Sequence, residues 1–167
     1  MRKLIVLGTY HNVQGLKNFR GSLPDPDYKP ILEYLKQKHD VDFIFEEATG
    51  HGPSVASDMA AGGYLDIDSE TTDEVLSHFP EESHTLVLEI LDKFRVQEIP
   101  TKLGLTVQEL RESTWVTKIK AQQFKTGLVI CGVTHTLSIA FRLNAEGFGV
   151  EAYCYEPIKI WANKKGP

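Results

Sequence analysis

The chain has 167 residues, of which 41% are hydrophobic, and its 18 basic and 23 acidic residues give a formal net charge of −5. This length is typical of one domain, and the acidic balance argues against a general nucleic-acid-binding or anionic-membrane-binding surface. No apolar run approaches the roughly 18 residues of a membrane span, and the run behind Arg2 and Lys3 is too short for a signal peptide. We therefore expect one cytoplasmic domain over residues 1–167, without a nucleic-acid or membrane partner.

Both cysteines, Cys131 and Cys154, fall inside apolar runs that are typical of strands. Free cysteine behaves as a small core residue, so we expect two buried thiols. A disulfide framework or a cysteine-based zinc site would need more cysteines at closer spacing. This pattern is typical of a reducing compartment.

Strands and helices alternate along the chain. Short apolar runs predict strands at residues 3–8, 41–47, 64–68, 127–132 and 150–155. Apolar residues at helical spacing predict helices at residues 29–40, 53–61, 84–99, 105–124 and 134–147. The acidic, polar stretch 69–83 is expected to be mostly loop with a little helix.

Several helix ends carry recognisable signals. Pro53 fits the first turn of the second helix, and Pro100 ends the third because proline lacks a backbone amide hydrogen. Thr106 and Glu109 form a capping-box pattern at the start of the fourth helix. Gly147 ends the last helix.

This alternation, with nearly continuous apolar strands, predicts an α/β fold. We expect a mostly parallel sheet of about five strands with helices on both faces. Two longer helices are inserted before the fourth strand.

Two Gly-x-x-His elements follow predicted strands. The first strand ends in Gly8-Thr9-Tyr10-His11, and the fourth ends in Gly132-Val133-Thr134-His135. In open α/β sheets, ligands bind outside the carboxyl ends of the strands. If the first and fourth strands are neighbours, as in the common doubly wound order, His11 and His135 face each other across one crevice.

Carboxylates also lie at the ends of the second and third predicted strands. Glu46 and Glu47 close the second strand, and Asp66 or Asp68 ends the third. Side chains alternate along a strand, so only one of the two glutamates is expected to face the crevice, with a slight preference for Glu46. The aspartates are equally compatible with a site and with a turn.

Two imidazoles with one or two carboxylates form a ligand set that suits Zn, Mn, Fe or Co. Such an ion can generate a bound hydroxide near neutral pH, with a spare glutamate as general base. The pattern predicts a divalent-metal site formed by His11, Glu46, Glu47 and His135.

Arg111 and Trp115 are spaced i, i+4 on the fourth helix and therefore share one face. This spacing fits either a surface arginine over a partly buried tryptophan or a functional arginine. In the second case, Arg111 would hold a carboxylate ligand or polarise a carbonyl or phosphoryl oxygen.

The ordered set of two Gly-x-x-His elements, the pair Glu46-Glu47 and Arg111 resembles the TraB/Tiki superfamily, which includes erythromycin-esterase-like and haem-uptake ChaN-like proteins. Segments 54–68 and 137–155 are similar to that superfamily as well. The resemblance implies a compact hydrolase with His11, Glu46, Glu47, Arg111 and His135 in its active site. Tiki-type members are described as divalent-metal-dependent proteases, the esterase branch opens macrolide rings, and ChaN-like members bind haem.

Three hypotheses remain open from the sequence. The first is a metal-dependent hydrolase of an amide, ester or related bond in a small molecule or peptide, with Arg111 stabilising negative charge. The second is metal-independent acid–base chemistry by the two histidines and a glutamate. The third is a module that binds a small ligand, a nucleotide or haem without turnover.

Overall fold

The structure, a computed structural model, describes residues 1–17, 25–48, 52–93 and 106–155. Its strands are β1 (Lys3–Thr9), β2 (Phe43–Glu46), β3 (Gly63–Asp66), β4 (Thr126–Gly132) and β5 (Gly149–Cys154). Its α-helices are α1 (Tyr28–His39), α2 (Val55–Asp58), α3 (Thr71–Leu76), α4 (His84–Lys93), α5 (Val107–Ala121) and α6 (Thr136–Ala145). Within these ranges, no helix is long and apolar enough to cross a membrane.

The five strands form one parallel sheet in the order β3-β2-β4-β1-β5. The predicted α/β fold is therefore confirmed, including the two helices α4 and α5 before the fourth strand. β1 and β4 are neighbours, and the chain leaves them in opposite directions, toward β2 and toward β5. Their carboxyl ends thus mark a topological switch point, where open α/β sheets bind ligands.

Alternation of side chains along the strands builds a core on each face of the sheet. Helices α1 and α2 cover one face, where they pack on strand residues that include Ile5, Ile44 and Leu128. Helices α5 and α6 cover the other face, where they pack on strand residues that include Val6, Phe45 and Val129. Both faces of the central strands are buried, which explains their continuous apolar sequences.

The structure corrects two details of the predictions. Cys131 is buried, but Cys154 is exposed because it is the last residue of an edge strand. Pro53 precedes α2 rather than occupying its first turn, because the Ser54 side chain accepts the amide of Ser57 and caps the helix. The predicted helix end at Pro100 lies outside the described residues.

Gly8 allows α6 to approach β1 closely. A Cβ atom at this position would lie 1.8 Å from Oγ1 of Thr136 and 3.0 Å from its Cβ. Thr136 is the first residue of α6 and directly follows His135. The missing side chain at Gly8 therefore sets how closely the helix of the second histidine sits over β1.

Replacing Gly8→Ala should lower the free energy of unfolding by about 1–3 kcal/mol, since α6 must move away from the added methyl group. Urea unfolding measures this loss. Adding Thr136→Ala should relieve part of this clash. The double variant should then lose less free energy of unfolding than the two single variants lose together. Purely additive losses would contradict a clash between these two residues.

Candidate active site

Polar side chains collect at the carboxyl edge of the sheet, around the switch point. His11 begins a one-turn 3-10 helix just after β1, and Glu47 directly follows β2. His135 is the N-cap residue of α6, which follows β4. Arg111 reaches the same place from α5. Four predicted site residues are therefore brought together by four different elements.

Glu47 is the centre of this group, and its side chain is 0% exposed. Its Oε1 accepts a hydrogen bond of 2.6 Å from Nη2 of Arg111 and lies 3.5 Å from Nε2 of His11. Its Oε2 accepts the backbone N–H of Gly132 at 2.7 Å. Burial by itself raises the pKa of Glu47, but His11 and Arg111 outweigh it and lower that pKa to about 2.

Glu46 lies on the opposite face of the sheet, as strand alternation requires. It is fully buried, and its Oε2 accepts hydrogen bonds from the hydroxyls of Ser54 and Tyr64. Burial raises the pKa of Glu46 to about 7, although both hydrogen bonds oppose the rise. The preference for Glu46 as the residue facing the histidines is therefore wrong, because Glu47 is the one that contacts His11.

Arg111 is held by two carboxylates and an aromatic ring. Its Nε and Nη2 donate to the two oxygens of Asp68 at 2.8 and 2.7 Å, while Nη2 also donates to Glu47. The guanidinium carbon lies 4.8 Å from the centroid of the Trp115 ring, and Nε1 of Trp115 donates to Asp68 at 2.9 Å. Arg111 is 5% exposed, so it is a buried side chain rather than a surface arginine.

The two aspartates near the end of β3 have different roles. Asp68 binds Arg111 and Trp115, which makes it part of the site. Asp66 accepts the backbone amides of Ala48 and Asp68 through its Oδ1. These bonds connect the segments that follow β2 and β3, and they help to place Asp68.

His135 forms a dyad with Glu112, a residue that the sequence pattern did not single out. Its Nδ1 lies 2.8 Å from Oε1 of Glu112, whose Oε2 accepts from Ser138 and from Nε of Arg142. Burial raises the pKa of Glu112, but the hydrogen bonds from His135 and Ser138 outweigh it and lower that pKa. An ionised carboxylate only accepts, so Nδ1 carries a hydrogen, and whenever the ring is neutral its lone pair lies on Nε2.

His11 has a different environment. Its Nδ1 lies 3.0 Å from Oε1 of Gln14, and its Nε2 faces Glu47. Burial lowers the pKa of His11, but the interactions with Glu47 outweigh it, and that pKa lies above the ordinary value of 6.5. His11 therefore holds a proton more firmly than a free imidazole.

Gly132 is the point at which these groups converge. A Cβ atom on Gly132 would lie 3.5 Å from both Oε2 of Glu47 and Nε2 of His11, and 3.6 Å from Cδ2 of His135. These are ordinary van der Waals distances, so Gly132 lies where Glu47 and the two histidine rings converge, without a close approach that excludes a methyl group.

Nε2 of His135 and Nη1 of Arg111 are among the buried polar atoms that have no hydrogen-bond partner within the residues that the structure describes. Both residues contact Trp115, whose ring centroid lies 5.0 Å from that of His135. Unpaired buried polar atoms are rare in proteins and often mark a place where a ligand or water binds.

The donor set does not fit a divalent metal ion in this arrangement. Both oxygens of Glu47 accept hydrogen bonds from the protein, one of them from a guanidinium. Glu46 lies across the sheet, where it binds Ser54 and Tyr64. Over the described ranges, no three His, Cys, Asp or Glu side chains are arranged to hold a metal ion.

Several residues of the site were not predicted from the sequence, although the spacing of some of them shows that they lie near a predicted residue. His135, Ser138 and Arg142 are spaced three and four residues apart, so they share one face of α6. Glu112 follows Arg111, and Gln14 lies three residues after His11, within the same short turn. None of these spacings reveals which partner lies opposite, because the partners come from distant elements.

Comparisons with known proteins do not identify a related site. No protein-family model matches the chain, and searches of curated proteins and of solved structures gave no match. The resemblance to the TraB/Tiki superfamily therefore stays a prediction based on the short motifs.

The two adjacent glutamates should give opposite effects of pH on stability. The folded pKa of Glu46, about 7, lies above the ordinary 4.5, so its favourable contribution is complete below pH 4.5 and is lost as the pH rises through 7. Glu46→Gln mimics the protonated acid and should stabilise the protein at pH 8 by up to about 3 kcal/mol, with little gain at pH 4.5. Urea unfolding at the two pH values measures this difference.

Glu47→Gln is the matched comparison. The folded pKa of Glu47, about 2, lies below 4.5, so its contribution is present above pH 4.5 and is lost as the pH falls toward 2. This variant should destabilise the protein at pH 7 by about 3 kcal/mol, because it weakens the compensation of a buried guanidinium. Equal pH dependence in the two variants would contradict the assignment of opposite environments.

Proposed function

We propose that this chain is a hydrolase that activates water with the His135–Glu112 dyad and needs no resident metal ion. The observation that carries the proposal is the buried Nε2 of His135, which has no partner among the described residues while Glu112 fixes the hydrogen on Nδ1. An imidazole oriented in this way is a general base whose free nitrogen faces the reacting group.

The proposed reaction is attack of water on the carbonyl carbon of an ester, amide or related acyl substrate. Nε2 of His135 accepts a proton from the water as its oxygen forms the new bond to carbon. Glu112 stabilises the resulting imidazolium, as a buried carboxylate does in a catalytic triad. The same imidazolium can then return a proton to the leaving group.

Arg111 is the group best suited to the developing negative charge on the carbonyl oxygen. Its Nη1 is buried and unpartnered within the described part of the chain, whereas Nε and Nη2 are fixed by Asp68 and Glu47. A donor that is already oriented costs little reorganisation in the transition state. Trp115 contacts both Arg111 and His135, so the donor and the base pack against the same side chain.

His11 is the second acid–base group in the proposal. Its raised pKa makes it a proton donor near neutral pH. A group of this kind can supply the proton that the leaving group needs. The carboxylate of Glu47 keeps His11 and Arg111 in place, so it is a positioning residue in this proposal.

Hydrolysis of p-nitrophenyl esters and peptide p-nitroanilides, measured in buffer with EDTA, tests the proposed function. We expect His135→Gln and Glu112→Gln to lower kcat by about 100-fold or more, because each removes the oriented general base. His84→Gln is the matched control, since His84 starts α4 and contacts the carbonyl of Phe79 outside the site.

The pH profile separates this mechanism from a structural effect. The wild type should show a bell-shaped kcat/KM profile, and His11→Gln should remove its alkaline limb because that limb reports loss of the acid. Activity that requires an added divalent ion would favour the metal-dependent hypothesis. Binding of a small ligand without turnover in any of these assays would favour the ligand-binding module.

A further inference from the structure

We infer that Arg111 is the permanent cation of this site and occupies the place in which a divalent metal ion would otherwise bind between Glu47, Asp68 and His11. The inference concerns the same site as the proposed function, but it does not require hydrolysis, and its test measures metal binding. Failure of the proposed hydrolytic function can therefore be distinguished from failure of the inference about Arg111.

The first argument is occupancy of the carboxylates. Both oxygens of Asp68 and Oε1 of Glu47 accept hydrogen bonds from the Arg111 guanidinium, over distances of 2.6 to 2.8 Å. The remaining oxygen, Oε2 of Glu47, is held by the backbone of Gly132. All four carboxylate oxygens therefore accept hydrogen bonds from N–H groups of the protein, and three of them accept from the Arg111 guanidinium.

The second argument is electrostatic. Carboxylate oxygens lie about 2.0–2.2 Å from a bound zinc ion, so an ion on Glu47 would sit directly beside the guanidinium. Two like charges at that separation repel strongly in a buried site. Divalent ion and arginine are therefore alternatives at this position rather than companions.

The third argument is that Arg111 is fixed in its place. It lies on α5, is 5% exposed, and is 4.8 Å from the Trp115 ring centroid. The fork of Nε and Nη2 on Asp68 adds a second geometric restraint. Such a side chain does not vacate the site readily in favour of an ion.

Removing the guanidinium should expose a latent metal site. Glu47, Asp68 and Nε2 of His11 would then surround the vacated volume, with Oε1 of Glu47 only 3.5 Å from that nitrogen. Two carboxylates and one imidazole form a suitable ligand set for Zn²⁺ or Mn²⁺. Arg111→Met keeps an apolar side chain beside Trp115 but removes the guanidinium and its charge, and it is the variant that tests this.

The experiment measures binding of Zn²⁺ and Mn²⁺ to EDTA-treated full-length protein, by calorimetry and by thermal unfolding. Wild type and Arg111→Lys should show no bound ion at the site. Arg111→Met should bind one ion, and metal at about 100 times its dissociation constant should raise the midpoint of unfolding by about 5 °C or more. Adding Glu47→Gln to this variant should abolish the gain.

Arg2→Met is the matched control for loss of an arginine. Arg2 lies at the amino edge of the sheet, where it contacts the Phe124 and Phe148 rings and the carbonyl of Gln122. This variant should bind no more metal than the wild type. Metal binding by other side chains, such as exposed Cys154, would persist in every Glu47→Gln variant and is thereby identified.

Two results would overturn the inference. One is a wild-type protein that binds a stoichiometric divalent ion and loses it in Glu47→Gln. The other is a folded Arg111→Met protein, judged by circular dichroism, that gains no metal. If Arg111→Met does not fold, Arg111→Gln, which retains hydrogen-bonding capacity for Asp68, provides the same comparison.

Discussion

The buried ion pair between Glu47 and Arg111 is the interaction on which the rest of the site depends. Through this pair and the bond from Gly132, the end of β2 is connected to α5 and to the end of β4. His11 reaches the same carboxylate from the turn after β1. A buried pair of this kind adds little stability relative to apolar packing. Its main consequence here is positional, since it brings four separate elements of the fold to one point.

The two glutamates and the two histidines each show one residue type in two different environments. Glu46 and Glu47 are adjacent in sequence, yet burial without a cation raises the pKa of the first to about 7, and Arg111 with His11 lowers that of the second to about 2. Likewise, His11 faces a carboxylate with Nε2, whereas His135 offers Nδ1 to one. Strand alternation and the direction of each loop produce these differences without any change of residue type.

Much of the fold and part of the site follow from sequence patterns. Hydrophobic runs and helical spacing locate the five strands and main helices, because burial on both faces of a parallel sheet leaves a strong local pattern. Placing His11 and His135 at the carboxyl edge follows from strand order in doubly wound folds. The pattern could not show that Glu112 orients His135, since these residues are 23 positions apart on different helices.

The α/β class and the strand ends at which Glu47, His11 and His135 lie can be inferred from local sequence patterns. The contacts of those residues follow from the folded chain: Glu47 rather than Glu46 faces His11, and Arg111 pairs with the carboxylates of Glu47 and Asp68. These two kinds of information differ in the sequence distance over which they act. Periodicity reports burial within a few residues, whereas the charge, hydrogen bonding and pKa of a buried group are set by side chains that folding brings from distant parts of the chain.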